Sequence, residues 1–139
     1  MKNPLTTRQS GSTMIEVLVS MIIIAIGLLG FAGLLTQAMK SSQTAYLRSQ
    51  ATFLAYDIVE RMRANRGAAI NGNYSITYEG TPVGGNLAGD DLVDWRASIT
   101  QALPAGSGDV SAVLNGSVTI KIKWNDGHEQ TEFITQSAI

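Results

Sequence analysis

A run of 23 residues without a single charge, residues 17–39, constrains this chain more than any other feature. The hydrocarbon core of a bilayer is about 30 Å thick, and a helix needs roughly 20 apolar residues to cross it. A helix buried in a soluble domain is usually shorter and keeps one polar face. This run has bulky apolar residues all round the helix. It therefore predicts a membrane-spanning helix.

The residues around the run predict how the span is oriented in the membrane and that the span stays in the mature protein. Residues 1–11 contain Lys2 and Arg8 and no acid, and positive charge keeps the adjoining end of a span in the cytoplasm. A secretory signal would have a shorter apolar stretch followed by a small-residue cleavage site. We therefore expect a retained single span, with the N-terminus in the cytoplasm and the C-terminal portion in the periplasm or outside.

The composition excludes several classes of function. The net charge is −1, cysteine is absent, and His128 is the single histidine. These facts exclude disulfides, thiolate metal sites and multi-histidine sites, and we expect no bulk nucleic-acid binding. Asp90, Asp91 and Asp94 lack the glycine and later glutamate of a calcium loop, and the start of a helix explains them. With no catalytic constellation in the pattern, we expect a protein that is not an enzyme and has no cofactor.

Residues 40–64 predict that the helix continues beyond the membrane as an amphipathic half. Its apolar side chains recur every three or four positions, at Leu47, Ala51, Leu54, Ile58 and Met62. One face would be covered by a globular head and the other would face water or neighbouring molecules. Asp57 and Arg61 are four residues apart and can pair on its surface. Residues 65–72 predict an exit loop, and the head is residues 65–139.

The head pattern predicts a small antiparallel sheet. Alternating apolar and polar residues predict strands at residues 73–79, 110–114, 117–124 and 128–135. Asn115 and Gly116 fit a type I′ hairpin turn. The inward side chains of the strand after that turn would be Val118, Ile120, Ile122 and Trp124. The sheet would lie on the long helix, which gives an α+β fold.

A short helix is predicted between the first strand and the hairpin. Residues 80–89 hold four glycines and a proline and predict a flexible loop. Asp90 or Asp91 would cap a helix that runs to about Leu103. The side chains that this helix would bury are Leu92, Trp95 and Ile99.

The start of the chain has a recognisable order of residues. A basic leader ends at Gly11 and is followed by STMIE and then by the apolar run. This order resembles the class III signal of type IV pilins and related pseudopilins. The resemblance implies that a prepilin peptidase removes residues 1–11 by cutting between Gly11 and Ser12, and then methylates the new amine of Ser12. The family usually has phenylalanine where this chain has Ser12. Residues 12–39 would remain as the transmembrane and assembly helix.

Glu16 places a carboxylate at the edge of the apolar run, where a charge is costly and usually has a partner. The resemblance implies that this glutamate docks on the N-terminal amine of a neighbouring subunit during filament assembly. The residues alone offer a second interpretation, a capping box over residues 13–16, in which Glu16 reaches back to a backbone amide. The two roles are compatible.

Three glycines within the run, Gly27, Gly30 and Gly33, are spaced by three. Each lowers helix propensity by about 1 kcal/mol relative to alanine. Local melting would let the helix stretch in a filament. Close packing against the bulky residues of neighbours explains the glycines equally well.

Four further segments are spread along the chain. They are IGLLGFAGLL at 26–35, LAYDIVERMRANR at 54–66, DLVDWRASI at 91–99 and VTIKIKW at 118–124. They resemble PilV-type minor pilins of type IV pili. This resemblance implies a pilin-like fold and a low-copy filament subunit that helps to initiate pilus assembly, with a role in adhesion or twitching motility.

The same resemblance implies partners and location. The partners would be the prepilin peptidase, other minor and major pilins, the inner-membrane assembly platform and, before assembly, membrane lipid. The subunit would pass from the inner membrane into the pilus at the cell surface. Two alternatives remain open. One is a pseudopilin of a type II secretion system, and the other is a membrane-anchored periplasmic binding module that does not assemble.

Overall fold

A single long helix begins the structure. The computed structural model describes residues 12–127 and 129–139, without the side chain of Ser12. The elements in chain order are α1 (Ser12–Ala64), α2 (Arg66–Ile70), α3 (Leu87–Ala102), β1 (Ser107–Val110), β2 (Ser117–Asn125) and β3 (Gln130–Ala138). A long N-terminal helix followed by a small three-stranded antiparallel sheet confirms the predicted α+β fold.

The chain divides into two compact units. The first ends at Ser42, and the second is Gln43–Ile139, which we call the C-terminal unit. In the first unit every side chain from Thr13 to Ser42 is exposed. α1 is long and apolar enough to cross a membrane. Because water disfavours so much apolar surface, this part of α1 needs lipid or protein around it.

The core of the C-terminal unit forms between α1, α3 and β2. The predicted inward side chains of α1 are all buried: Leu47, Ala51, Leu54, Ile58 and Met62. They share one hydrophobic cluster with the predicted residues of α3 and β2, namely Leu92, Trp95, Ile99, Val118, Ile120, Ile122 and Trp124. The indole Nε1 of Trp95 donates a hydrogen bond to the carbonyl oxygen of Leu54 at 2.8 Å. The core predicted from the spacing of apolar residues is confirmed.

The sheet has β2 at its centre, with β1 and β3 antiparallel on either side. Asn115 and Gly116 have φ angles of 51° and 74°, as the predicted type I′ turn requires. The strand before this turn was wrongly predicted, because β1 ends at Val110. The pairing changes register between Val110 and Leu114, so one extra residue bulges from the ladder. The Ser111 hydroxyl accepts the N–H of Thr119 there, at 2.9 Å.

The predicted strand at residues 73–79 is wrong. This segment makes one isolated bridge, between Ile76 and Val110. Arg96 of α3 donates to the carbonyl oxygens of Thr77, Tyr78 and Gly80, at 2.6–3.3 Å. Those carbonyls bind the guanidinium, and the segment is held as a turn beside β1.

Two boundaries before and after this segment also need correction. The predicted exit loop, residues 65–72, contains the short helix α2, whose Ala69 is buried. β3 begins at Gln130 and ends at Ala138, later than the predicted return strand. The bounds of β3 follow from its pairing with β2, in which Gln130 lies opposite Asn125 and Ala138 opposite Ser117.

The start of α3 differs from its prediction too. Asn86 is the cap, because its side-chain oxygen accepts the N–H of Gly89 at 2.9 Å. α3 therefore begins at Leu87, and the predicted loop at residues 80–89 is shorter. A Cβ atom on Gly89 would lie 2.1 Å from the carbonyl oxygen of Val83. The loop passes directly over the first turn of α3, and only glycine leaves room for it.

Candidate functional site

The exposed part of α1 holds the carboxylate singled out by the sequence. Glu16 is exposed on the helix, and its carbonyl oxygen accepts the hydroxyl of Ser20 at 2.7 Å. Thr13 is already a helical residue, because α1 begins at Ser12. Thr13 is therefore not at the N-cap position that the proposed capping box needs. The Glu16 carboxylate stands among exposed apolar side chains of the same helix.

The predicted processing site is only partly within the described structure. Gly11 lies outside the described residues, as does His128. Ser12 is the first described residue of α1. Cleavage between Gly11 and Ser12 and methylation of Ser12 remain predictions.

The three glycines of the apolar run open notches in the surface of α1. A Cβ atom built on Gly27, Gly30 or Gly33 would have nothing within 4 Å. The contacts of this chain thus give no reason for glycine there. Packing against a neighbour and local melting both remain open as their role.

A polar cluster fastens α3 to α1 in the C-terminal unit. Arg61 pairs with Asp57, as predicted, and with Asp91 of α3, each at 3.1 Å. Tyr74 donates its hydroxyl proton to Asp91 at 2.5 Å, and Asn65 donates to the Tyr74 oxygen at 3.3 Å. Burial and the hydrogen bond to Asp91 raise the pKa of Tyr74 to about 12. The sequence predicted the pair within the helix and missed Asp91, which lies 30 residues away.

The end of α1 is also tied to the last strand. Arg63 donates to the carbonyl oxygen of Ala138 and to the hydroxyl of Ser137, both at 3.0 Å, and pairs with Glu60. Arg66 donates to the carbonyl oxygen of Ile139 at 3.2 Å. These arginines therefore bind acceptors within the chain.

Two family models match the N-terminal part of this architecture. Residues 6–32 match the prokaryotic N-terminal methylation motif, and residues 33–78 match the Tt1218-like family, type IV pilin Tt1218. The chain is a type IV pilin-like protein. No curated protein and no solved structure matches it.

The family assigns a general role to the features described above. A pilin-like protein is a structural filament subunit, and the family is generally non-enzymatic. The methylation motif together with the apolar helix makes this pilin-like protein membrane-anchored. The motif also implies processing by a prepilin peptidase and incorporation with other pilins.

The aspartates at the start of α3 have structural partners in this pilin-like protein. Asp90 accepts the N–H of Gly85 at 3.0 Å, and Asp91 belongs to the polar cluster. Among the described residues, no group of three or more histidine, cysteine, aspartate or glutamate side chains is placed to hold a metal ion. These carboxylates stabilise the loop and the helix start.

Proposed function

We propose that this pilin-like protein is a minor pilin of the PilV type in a type IV pilus. It would be a non-enzymatic, low-copy subunit that helps to initiate assembly and contributes to adhesion or twitching motility. One observation carries the proposal: α1 joins an exposed, charge-free apolar surface bearing the methylation motif to a folded C-terminal unit. Such a surface suits lipid before assembly and the helices of other pilins afterwards.

The PilV assignment is supported by how two of the resembling segments meet. Arg61 lies in the segment at residues 54–66 and Asp91 in the segment at residues 91–99, and they form an ion pair. Trp95 of the second segment bonds to Leu54 of the first. The two segments that carry the resemblance thus contact each other, and these contacts hold α3 on α1.

The proposed assembly step involves Glu16 and a new N-terminal amine. Cutting between Gly11 and Ser12 would leave a positive amine at the start of α1. The Glu16 carboxylate of an incoming subunit would pair with that amine on a neighbour. Opposite charges attract strongly where water is scarce, but desolvation cancels much of the gain. The pair would therefore set the register between subunits rather than supply most of the stability.

Intact mass and N-terminal sequencing, on membranes and on sheared filaments, test the proposal. We expect a mature chain that begins at Ser12 in both fractions, and the mass shows whether the amine is methylated. A chain that keeps residues 1–11 and is found only in membranes, despite an active peptidase, would leave the anchored binding module as the function.

The methylation motif is also found in pseudopilins, so the choice of filament needs its own experiment. Deletion of the gene is expected to reduce piliation and twitching while secretion through the type II system continues. The opposite result, with normal twitching and lost secretion, would assign the protein to the secretion system. Complementation with the intact gene is the control for both readouts.

A further inference from the structure

The last strand, β3, has one long edge that faces away from the rest of the sheet. Within the described part of the chain, β3 pairs with β2 alone, through nine consecutive residue pairs. Ile139, just beyond β3, donates its N–H toward β2, to the carbonyl oxygen of Gly116 at 2.9 Å. Backbone groups of an antiparallel strand point alternately to the partner and away from it, so the even-numbered residues of β3 point outward. They are Gln130, Glu132, Ile134, Gln136 and Ala138.

The C-terminal end of this edge already has a partner. Arg63 donates to the carbonyl oxygen of Ala138 at 3.0 Å. Among the residues that the structure describes, no group binds the outward N–H or C=O of Glu132, Ile134 or Gln136. We call the backbone groups of these three residues the open edge.

The open edge has few of the features that normally protect an edge strand. Native proteins shield such edges with lysine, proline, bulges or very short strands. β3 is nine residues long, contains neither lysine nor proline, and pairs with β2 without a bulge. Glu132 is the single charged residue of β3, and Ile134 is 54% exposed. Such an edge is suited to the addition of another strand.

A second copy of this chain does not fit the open edge, provided that the proposed function holds. Two β3 edges would pair by two-fold symmetry and close after two subunits, whereas the subunits of a filament meet through different surfaces. The other edge of a neighbouring copy is β1, which is four residues long and is already bridged at Val110 by Ile76. The added strand therefore has to come from a different protein.

We propose that the open edge binds an extended segment of a partner protein, which becomes a fourth strand of the sheet. In antiparallel pairing, each of the three outward residues can exchange two backbone hydrogen bonds with the segment. Main-chain bonds of this kind supply affinity, and the side chains on alternate positions supply specificity.

The side chains at the open edge specify what the segment contains. An apolar residue across from Ile134 would cover its exposed side chain. Lys123 lies across from Glu132 in β2 but pairs with Glu79 at 3.6 Å, while Glu132 accepts the hydroxyl of Tyr78. A basic residue on the added strand would therefore find a carboxylate to pair with.

Antiparallel pairing also fixes the order of these two residues in the partner. The residue across from Glu132 comes two positions after the residue across from Ile134, because the strands run in opposite directions. The partner segment is thus expected to contain an apolar residue, then any residue, and then lysine or arginine.

Site-specific photocrosslinking of the full chain in cells tests the proposal. A benzophenone amino acid replaces Gln136, and crosslinked peptides are identified from membranes and from sheared filaments. We expect a peptide from a protein other than this chain, with the expected order of apolar and basic residues. The control carries the same amino acid at Gln101, an exposed glutamine of α3, where we expect loss of that product.

Hydrogen exchange then shows whether the segment binds as a strand. The crosslinked segment is synthesised and added to the full chain in detergent. We expect slower exchange of the N–H groups of Glu132, Ile134 and Gln136, and a smaller effect from a peptide with glutamate in place of the basic residue. Unchanged exchange at these three groups would overturn the proposal.

A substitution that blocks the edge gives an independent test. Ile134→Pro removes an N–H that makes no bond to β2, and proline is tolerated where the N–H of an edge strand faces solvent. We expect a folded variant, as judged from its urea midpoint, that loses the crosslink at position 136. Ile134→Val keeps the N–H and should keep the crosslink. If the proline variant does not fold, Ile134→Lys takes its place, because lysine protects an edge without changing the backbone.

The outcomes separate the inference from the proposed function. A crosslink that persists in the folded blocked variant, or a crosslink to another copy, to a helix or to nothing, shows that the inference is wrong, and a subunit recovered in filaments then still supports the proposed function. If the subunit is absent from filaments, the proposed function is wrong, and the crosslink and the exchange still decide the inference.

Discussion

The guanidinium of Arg61 lies 3.1 Å from the carboxylate of Asp91, and this ion pair joins two helices that are far apart in the chain. The Asp91 side chain is only 14% exposed, and it also accepts the proton of Tyr74. Without Arg61, the nearly buried Asp91 carboxylate would keep the Tyr74 hydroxyl as a donor but would lose the cation that balances its charge. The pair therefore matters to how α3 is held on α1.

Replacement of Arg61 by alanine is expected to lower the free energy of unfolding by about 1–3 kcal/mol, since it leaves a mostly buried acceptor charge without its cation. Urea unfolding of the full chain in detergent can be followed by tryptophan fluorescence, because Trp95 and Trp124 are both buried. Arg48→Ala, at an exposed position, is the control, with a change within about 0.5 kcal/mol. Equal effects of the two variants would contradict the prediction.

Titration of Tyr74 is expected to lower the free energy of unfolding at alkaline pH. Burial and the bond to Asp91 raise its pKa to about 12, whereas a tyrosine in the unfolded chain titrates near pH 10. The stabilising contribution is therefore complete below about pH 10 and is lost as the pH rises to about 12, because the unfolded chain releases its proton first. Urea midpoints measured across this range should fall with pH.

Tyr74→Phe is the control for this titration and should show a shallower fall. Burial and a hydrogen bond to Glu132 also raise the pKa of Tyr78. The variant should therefore reduce the pH dependence without abolishing it. An unchanged slope would rule out Tyr74 as its source.

Replacing glycine by alanine is expected to have opposite effects on stability at Gly108 and at Gly67. A Cβ on Gly108 would lie 2.3 Å from the Trp95 ring, so Gly108→Ala is expected to destabilise the C-terminal unit by about 1–3 kcal/mol. Gly67 lies in α2, where a Cβ would have nothing within 4 Å. Gly67→Ala should stabilise by about 0.4–1 kcal/mol. The thermal unfolding temperatures of both variants are compared with that of the parent. Changes of opposite sign would show that the space around each glycine determines the effect.

Glu16→Ala is expected to leave cleavage and membrane insertion intact and to block incorporation, because the register contact with a neighbour's amine is lost. The readout is the amount of mature subunit in sheared filaments relative to membranes. Glu60→Ala removes an exposed carboxylate elsewhere on α1 and should be incorporated normally. Normal recovery of Glu16→Ala in filaments would refute the docking role.

Replacing Gly27, Gly30 and Gly33 together by alanine distinguishes the two roles left open for them. Alanine favours the helix by about 1 kcal/mol at each position, so a helix that must melt should resist assembly when it carries all three. The notches that these glycines open would fill only partly. Because α1 is already helical at all three positions, we expect unchanged helix content by circular dichroism and continued incorporation by filament recovery. Lost incorporation would favour melting.

The features predicted correctly from the sequence depend on neighbours in the chain. The core face of α1 was found because Leu54 and Ile58 recur at helical spacing, and the hairpin turn because Asn115 and Gly116 suit positive φ angles. The missed features depend on distant residues. Arg96 binds the carbonyls of a turn 16–19 residues away, and that contact turned a predicted strand into a turn.

The residues of the candidate site also differ in whether a local pattern or a distant contact identifies them. Glu16 and the three glycines were singled out from a local motif and from the length of the apolar run, and their roles in assembly stay predictions. The partners of Asp91 were not found, because Arg61 and Tyr74 reach it only after the chain has folded back.

The hydrogen bond from Trp95 to the Leu54 carbonyl spans 41 residues, and this has a consequence for biogenesis. α1 is synthesised before any residue that covers it, and at about 5–20 residues per second the ribosome needs about 2–8 s to reach Trp95. During that interval the apolar side of the nascent helix has no cover of its own. In a nascent subunit, a chaperone or the membrane surface therefore has to cover this apolar side of α1. The subunit can assemble only after its synthesis is complete.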